Sequence, residues 1–142
     1  MPQVDFYVLN DETEKAQLYL ACKLADKTYQ TQKCLYIHCK DQAQANIVDD
    51  MLWSFNANSF IPHGLLEKNR LVTLPILIGC DESTAIKCDV LLNLDHEIPT
   101  IIDNYKRIIE IVYQNQEAKK LARMRYKTYQ DKGLSLESHH LS

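Results

Sequence analysis

Apolar positions along this chain alternate between two spacings, and that alternation predicts the fold. Val4 to Leu9 (VDFYVL) is β-branched and aromatic and is followed by Asn10 and Asp11, the pattern of a strand and its turn. Asp11 with Glu14 resembles a capping box. Leu18, Ala21, Cys22, Ala25 and Tyr29 then recur at helical spacing. Cys34 to Cys39 (CLYIHC) is a second apolar run. Asp41 with Gln44 is placed to cap a second helix through Ala45, Val48, Leu52 and Phe55. Leu74 to Gly79 (LPILIG) and Asp89 to Leu94 (DVLLNL) are almost continuously apolar, as strands covered on both faces must be. The alternation predicts an α/β fold: a three-layer α/β/α domain around a mostly parallel, twisted, doubly wound sheet, spanning residues 1–133.

Other segments are less regular. Asn56 to Arg70 has little periodicity and reads as a long loop with a helical turn around His63 to Glu67. Pro99 to Tyr113 reads as a short helix followed by a strand from Arg107 to Val112. The stretch after Gly133, residues 134–142 (LSLESHHLS), is expected to fray as a flexible tail.

The last helical stretch, Glu117 to Lys132, changes the picture most. At about 100° per residue, Ala118, Leu121, Ala122, Arg125 and Tyr129 share one side, while Lys119, Arg123, Tyr126 and Lys127 gather on another. Its six cations against two acids leave a surplus of four positive charges in a chain whose formal net charge is −3. Such a face is either a solvated helix surface or an anion site for nucleic acid or an acidic peptide.

Composition narrows the function classes. At 142 residues, 46% hydrophobic and 25% charged, the chain has the make-up of one soluble globular domain. No apolar run approaches the roughly 18 residues of a membrane span and the N-terminus lacks signal-peptide character, so a cytoplasmic protein is expected. Five scattered cysteines without a CxxC pair are expected to be reduced, mostly buried thiols, with neither a disulfide framework nor a zinc cage. The three glycines, Gly64, Gly79 and Gly133, cannot build a GxGxxG turn or a P-loop, which argues against a nucleotide cofactor. His38 beside Cys39 in a strand faces the opposite way, so the pair is no nucleophile and base, and His38 is expected to be buried and satisfied. Asp49 and Asp50 read as a solvated face. His139 and His140 have no partner at metal-ligand spacing. No catalytic residue, metal or cofactor is expected.

The stretch LWSFNANSFIPHG (Leu52 to Gly64) places Trp53, Phe55, Phe60, Ile61 and Pro62 in otherwise polar chain. Helical spacing makes Trp53 and Phe55 core candidates. Phe60 and Ile61 must either fold back on the domain or anchor a partner.

Two motifs together, LWSFNANSFIPH and KKLARMRYKTY, resemble the chi subunit of bacterial DNA polymerase III holoenzyme, and the opening VDFYVL, the DVLLNL strand and the overall length fit as well. The resemblance implies a non-catalytic clamp-loader accessory protein in DNA replication, a monomer or 1:1 heterodimer, touching DNA only indirectly. Its implied partners are the psi subunit and the acidic C-terminal tail of single-stranded DNA-binding protein. The tail site it implies comprises Lys119, Arg123, Tyr126 and Lys127, with Val112 and Trp53 completing the pocket. Arg123 would take the terminal carboxylate and Tyr126 would wall the slot for a terminal phenylalanine. The psi-binding surface it implies comprises Phe60, Ile61, Pro62 and His63. Gly64 to Val72 is short and polar for the family, and HHLS has no counterpart in it. A nucleic-acid-binding domain using the basic helix is the alternative; an enzyme of nucleotide metabolism would need the phosphate site that the glycines deny.

Overall fold

In the computed structural model, residues 2–55, 61–65, 74–80 and 88–141 are described. Among them, seven strands form one sheet: β1 (Gln3–Val8), β2 (Leu35–His38), β3 (His63–Leu65), β4 (Ile76–Gly79), β5 (Val90–Asn93), β6 (Arg107–Val112) and β7 (Ser135–His140). The helices are α1 (Glu14–Gln30), α2 (Gln42–Ser54) and α3 (Gln116–Asp131). The spatial order is β3-β4-β2-β5-β6-β1-β7, and every neighbouring pair is parallel. This is the expected α/β architecture.

Side chains alternate across each strand, so the apolar runs feed two cores. Leu35, Ile37, Ile76, Ile78, Val90, Leu92, Ile109 and Ile111 meet the buried stripes of α1 and α2. On the other face Val4, Phe6, Tyr36, Leu77, Leu91, Ile108 and Val112 meet Ala122 and Tyr129 of α3, with Ile102 and Tyr105 closing the layer. β2, β4 and β5 are buried at every position, which is why they show no polar alternation.

Several local expectations change. The N-cap of α1 is Thr13, whose hydroxyl accepts from Ala16 N at 3.3 Å, whereas the Asp11 carbonyl accepts from Gln114 N and ties the β1 exit to the loop after β6. Asp41 does cap α2, accepting from Gln44 N at 2.8 Å, and Gln44 Oε1 reaches back to Lys40 N at 2.9 Å. His63–Leu65 is strand β3 beside β4, not the start of a helical turn. Asp103 and Asn104 form a turn rather than a helix before β6, which begins at Arg107 as expected.

The expected flexible tail is the largest correction, because Ser135–His140 pairs in parallel with the whole of β1. The reversal is built at the end of α3, where Gly133 takes φ +79°. There Gly133 N donates to Gln130 O and Leu134 N to Tyr129 O, the Schellman pattern that turns a chain out of a helix. β7 then covers the edge that β1 would otherwise leave open.

The cysteines also depart from expectation. Cys34 and Cys88 form a disulfide across a Cα–Cα distance of 4.9 Å. The register pairing Leu35 with Val90 brings the residues preceding β2 and β5 side by side, a juxtaposition that 54 residues of separation conceal. Cys22 and Cys39 are buried free thiols, and burial pushes Cys22 up to about 12.

Candidate functional site

The cation face of α3 looks onto a cleft. α3 packs on β1 and β6 through Ala122 and Tyr129, and a trough of about 300 Å³ opens between α3 and strands β1, β6 and β7. Phe6 and Val8 of β1, Val112 of β6, and Ala122 and Tyr126 of α3 give it an apolar floor and wall. Lys119 and Arg123 stand on the helix side, Ser138 and His140 on the strand side. Tyr126 is fixed by its ring contact with Phe6, centroids 5.2 Å apart, and Phe6 in turn meets Tyr129 edge-on at 6.0 Å. Lys119 Nζ donates to Gln114 Oε1 at 3.3 Å, and Gln114 is anchored through its own amide to Leu9 O at 2.8 Å. Arg123 and Lys127 are exposed.

What fixes the rotation of α3 is a buried polar group that reasoning from sequence missed. Glu110, fully buried in the middle of β6, accepts from Arg125 Nε at 3.0 Å, from Tyr129 Oη at 2.6 Å and from Asn93 Nδ2 at 3.0 Å. Arg125 also donates to His96 O at 3.0 Å. Burial pushes the Glu110 carboxyl upward against the pull of Arg125, Tyr129 and Asn93, and it drives the Tyr129 hydroxyl far above its ordinary range. A glutamate inside an otherwise β-branched run (RIIEIV), with an arginine on the core side of the next helix, was the available signal. With Arg125 and Tyr129 held down, Lys119, Arg123 and Tyr126 are turned to the cleft.

Of the residues expected at the tail site, Lys119, Arg123, Tyr126 and Val112 come together, while Lys127 does not line the cleft. Trp53 is elsewhere. It is 56% exposed on α2, and its ring lies 4.5 Å from that of His63 on β3, at the opposite edge of the sheet from β7. The expectation that Trp53 is core or completes the cleft is therefore corrected: the buried stripe of α2 is Gln44, Ala45, Val48 and Leu52, and Trp53 lies beside it. Phe55 is half-buried and meets Tyr19 edge-on.

In the loop motif, Phe60 lies outside the described residues. Ile61 is 1% exposed and belongs to the α1/α2 core. Pro62 is half-buried and His63 buried. His63 Nδ1 lies 2.7 Å from Ile61 O, and its Nε2 lies 3.3 Å from Asp49 Oδ1 without the alignment of a hydrogen bond. Asp49 is thus half-buried and engaged, not the solvated residue expected.

Other chemistry-bearing groups are occupied structurally. His38 is buried between Tyr36 Oη and Asp95 Oδ2, each at 3.2 Å, as expected. Asp5, Glu137 and His139 bring three possible ligand atoms within 4.8 Å of one another. Asp5 is already committed, accepting from Arg107 Nε at 2.6 Å and meeting His139 Nε2 at 3.1 Å, so the group forms an ion-pair network under a stacked Tyr7–His139 pair. No helix among the described residues is long and apolar enough to cross a membrane.

Among known proteins, the similarity extends over almost the whole chain. Residues 1–137 match the family model described as DNA polymerase III chi subunit, HolC. A Pseudomonas aeruginosa protein named DNA polymerase III subunit chi is 36% identical over 99% of this chain and 98% of its own length. Proteins of the same name from Haemophilus influenzae and Escherichia coli are 31% and 28% identical, over 94% and 97% of this chain and 93% and 97% of their own lengths.

Proposed function

The chain belongs to the family of DNA polymerase III chi subunits, accessory subunits of a replication polymerase, and from that membership we propose that it bridges two partners and catalyses nothing itself. One partner is the acidic C-terminal tail of single-stranded DNA-binding protein, bound in the α3 cleft. The other is the psi subunit, bound at the β3 edge through the sequence stretch Phe60, Ile61, Pro62 and His63, of which Ile61 packs into the core.

The observation that carries this reading is the composition of the cleft. A peptide ending in phenylalanine needs an apolar slot for its ring, a cation for its terminal carboxylate and further cations for the acids before it. Phe6, Val8, Val112, Ala122 and Tyr126 supply the slot, Arg123 the carboxylate partner, and Lys119 the second cation. Lys127, exposed one helical position beyond Tyr126, steers the acidic segment without lining the slot. At the other edge, exposed Trp53 over His63 beside Pro62 forms an apolar surface suited to a protein partner.

Calorimetric titration with an acidic peptide ending in phenylalanine tests the cleft. Micromolar binding (on the order of −8 kcal/mol) is expected, weakened at least tenfold by Arg123→Ala or by amidating the peptide terminus. Binding that is indifferent to both changes would sink the assignment. If the helix serves nucleic acid instead, the peptide gives no heat, while single-stranded DNA binds with an affinity that falls steeply with salt.

A further inference from the structure

β7 contributes to the cleft in a way that the peptide reading above does not use. Its side chains alternate: Glu137 and His139 turn to the face of Asp5 and Tyr7, whereas Ser138 and His140 line the cleft. The register sets Ser138 beside Phe6 and His140 beside Val8, at the carboxyl end of the sheet. α3 begins just after β6 and runs back over the sheet, so Lys119 on its first turns stands at that same end. The two side chains therefore flank the mouth of one trough. Facing His140 are Lys119, Arg123 and Tyr126 from α3, Phe6 and Val8 from β1, Val112 from β6 and Ser138 from its own strand. None of these is acidic, so the described residues of the cleft offer no carboxylate to meet a protonated imidazole.

We propose that His140 is a further contact of the acidic-peptide site, a strand-side cation opposite Lys119 and Arg123 that tightens peptide binding as the pH falls. The inference rests on the peptide reading of the cleft. Histidine is the side chain whose charge ordinarily changes between pH 5 and 8, whereas peptide carboxylates stay ionised across that range. An exposed ion pair of this kind changes affinity by about threefold. Linkage adds a second signature: if the proton on His140 strengthens anion binding, bound anion must equally favour uptake of the proton.

The test is calorimetric titration of the same peptide at pH 6 and pH 8, at constant ionic strength and in two buffers of different ionisation enthalpy. Wild type, His140→Gln, His139→Gln and Arg123→Ala are compared. Wild type and His139→Gln should bind about threefold more tightly at pH 6 with net proton uptake. His140→Gln should bind equally at both pH values without uptake. Wild-type affinity that does not change with pH, or a pH dependence that survives His140→Gln, overturns the proposal while leaving the cleft reading intact. Failure of the peptide to bind, or binding unaffected by Arg123→Ala, overturns the cleft reading and the proposal with it.

Discussion

At the scale of single residues, the central feature is a charge placed where charge is expensive. Glu110 is fully buried and Arg125 nearly so, and Tyr129 and Asn93 support their ion pair by donating two further hydrogen bonds to the carboxylate. Removing the arginine alone leaves an uncompensated buried anion. Arg125→Ala is therefore expected to cost about 3–5 kcal/mol in denaturant unfolding, whereas the triple variant Glu110→Leu, Arg125→Met and Tyr129→Phe, which removes the Tyr129 hydroxyl along with its acceptor, should lose far less. Equal losses in the two would show that the pair contributes by packing rather than by charge. Helical spacing placed Arg125 on the core side of α3 and the cations of the cleft on another. It could not name the partner of Arg125, because that partner is set by the lateral position of β6 beneath the helix. Trp53 illustrates the same limit: it is one residue past the buried Leu52, and its environment is set by His63, ten residues on and on another element.

At the scale of elements, the strands that were legible were the ones buried on both faces. LYIH, ILIG and VLLN lie within runs that are continuously apolar and too short for a buried helix, which leaves a strand covered on both sides. SLESHH was illegible because an exposed edge strand needs little apolar surface; its stability comes from the β1 ladder and from the turn at Gly133. β3, three residues long, is too short for any periodicity to register. The β1–β7 pairing carries its own ionic tie, in which the bonds from Arg107 and His139 outweigh burial and hold Asp5 below the usual carboxylate range. A depressed folded-state pKa contributes stability that is present above the unfolded value of 3.8 and is lost as the pH falls below it. Asp5→Asn should lower stability by about 1.5 kcal/mol at pH 7 and flatten the loss of stability on acidification below that value, as read by urea unfolding at a series of pH values. An unchanged acid limb in Asp5→Asn would assign that limb to other carboxylates.

At the scale of the whole molecule, the sheet order separates the two candidate surfaces. β3, with His63 and the Trp53 ring over it, is one edge; β7, with the cleft beside it, is the other. Six strand spacings of about 4.8 Å put roughly 29 Å between them. Both motifs behind the family resemblance were legible in the chain, one for each edge, but their separation across the sheet was not, since it depends on β1 lying between β6 and β7. Two partners on opposite edges need not compete, since the two surfaces share no residue. The decisive measurement is titration of the phenylalanine-terminated acidic peptide into the protein alone and into its purified complex with a psi subunit. The bridging account predicts one peptide per chain with the same affinity in both titrations. Displacement of psi by the peptide, or loss of peptide binding in the complex, would mean that the partners share a surface and would contradict it.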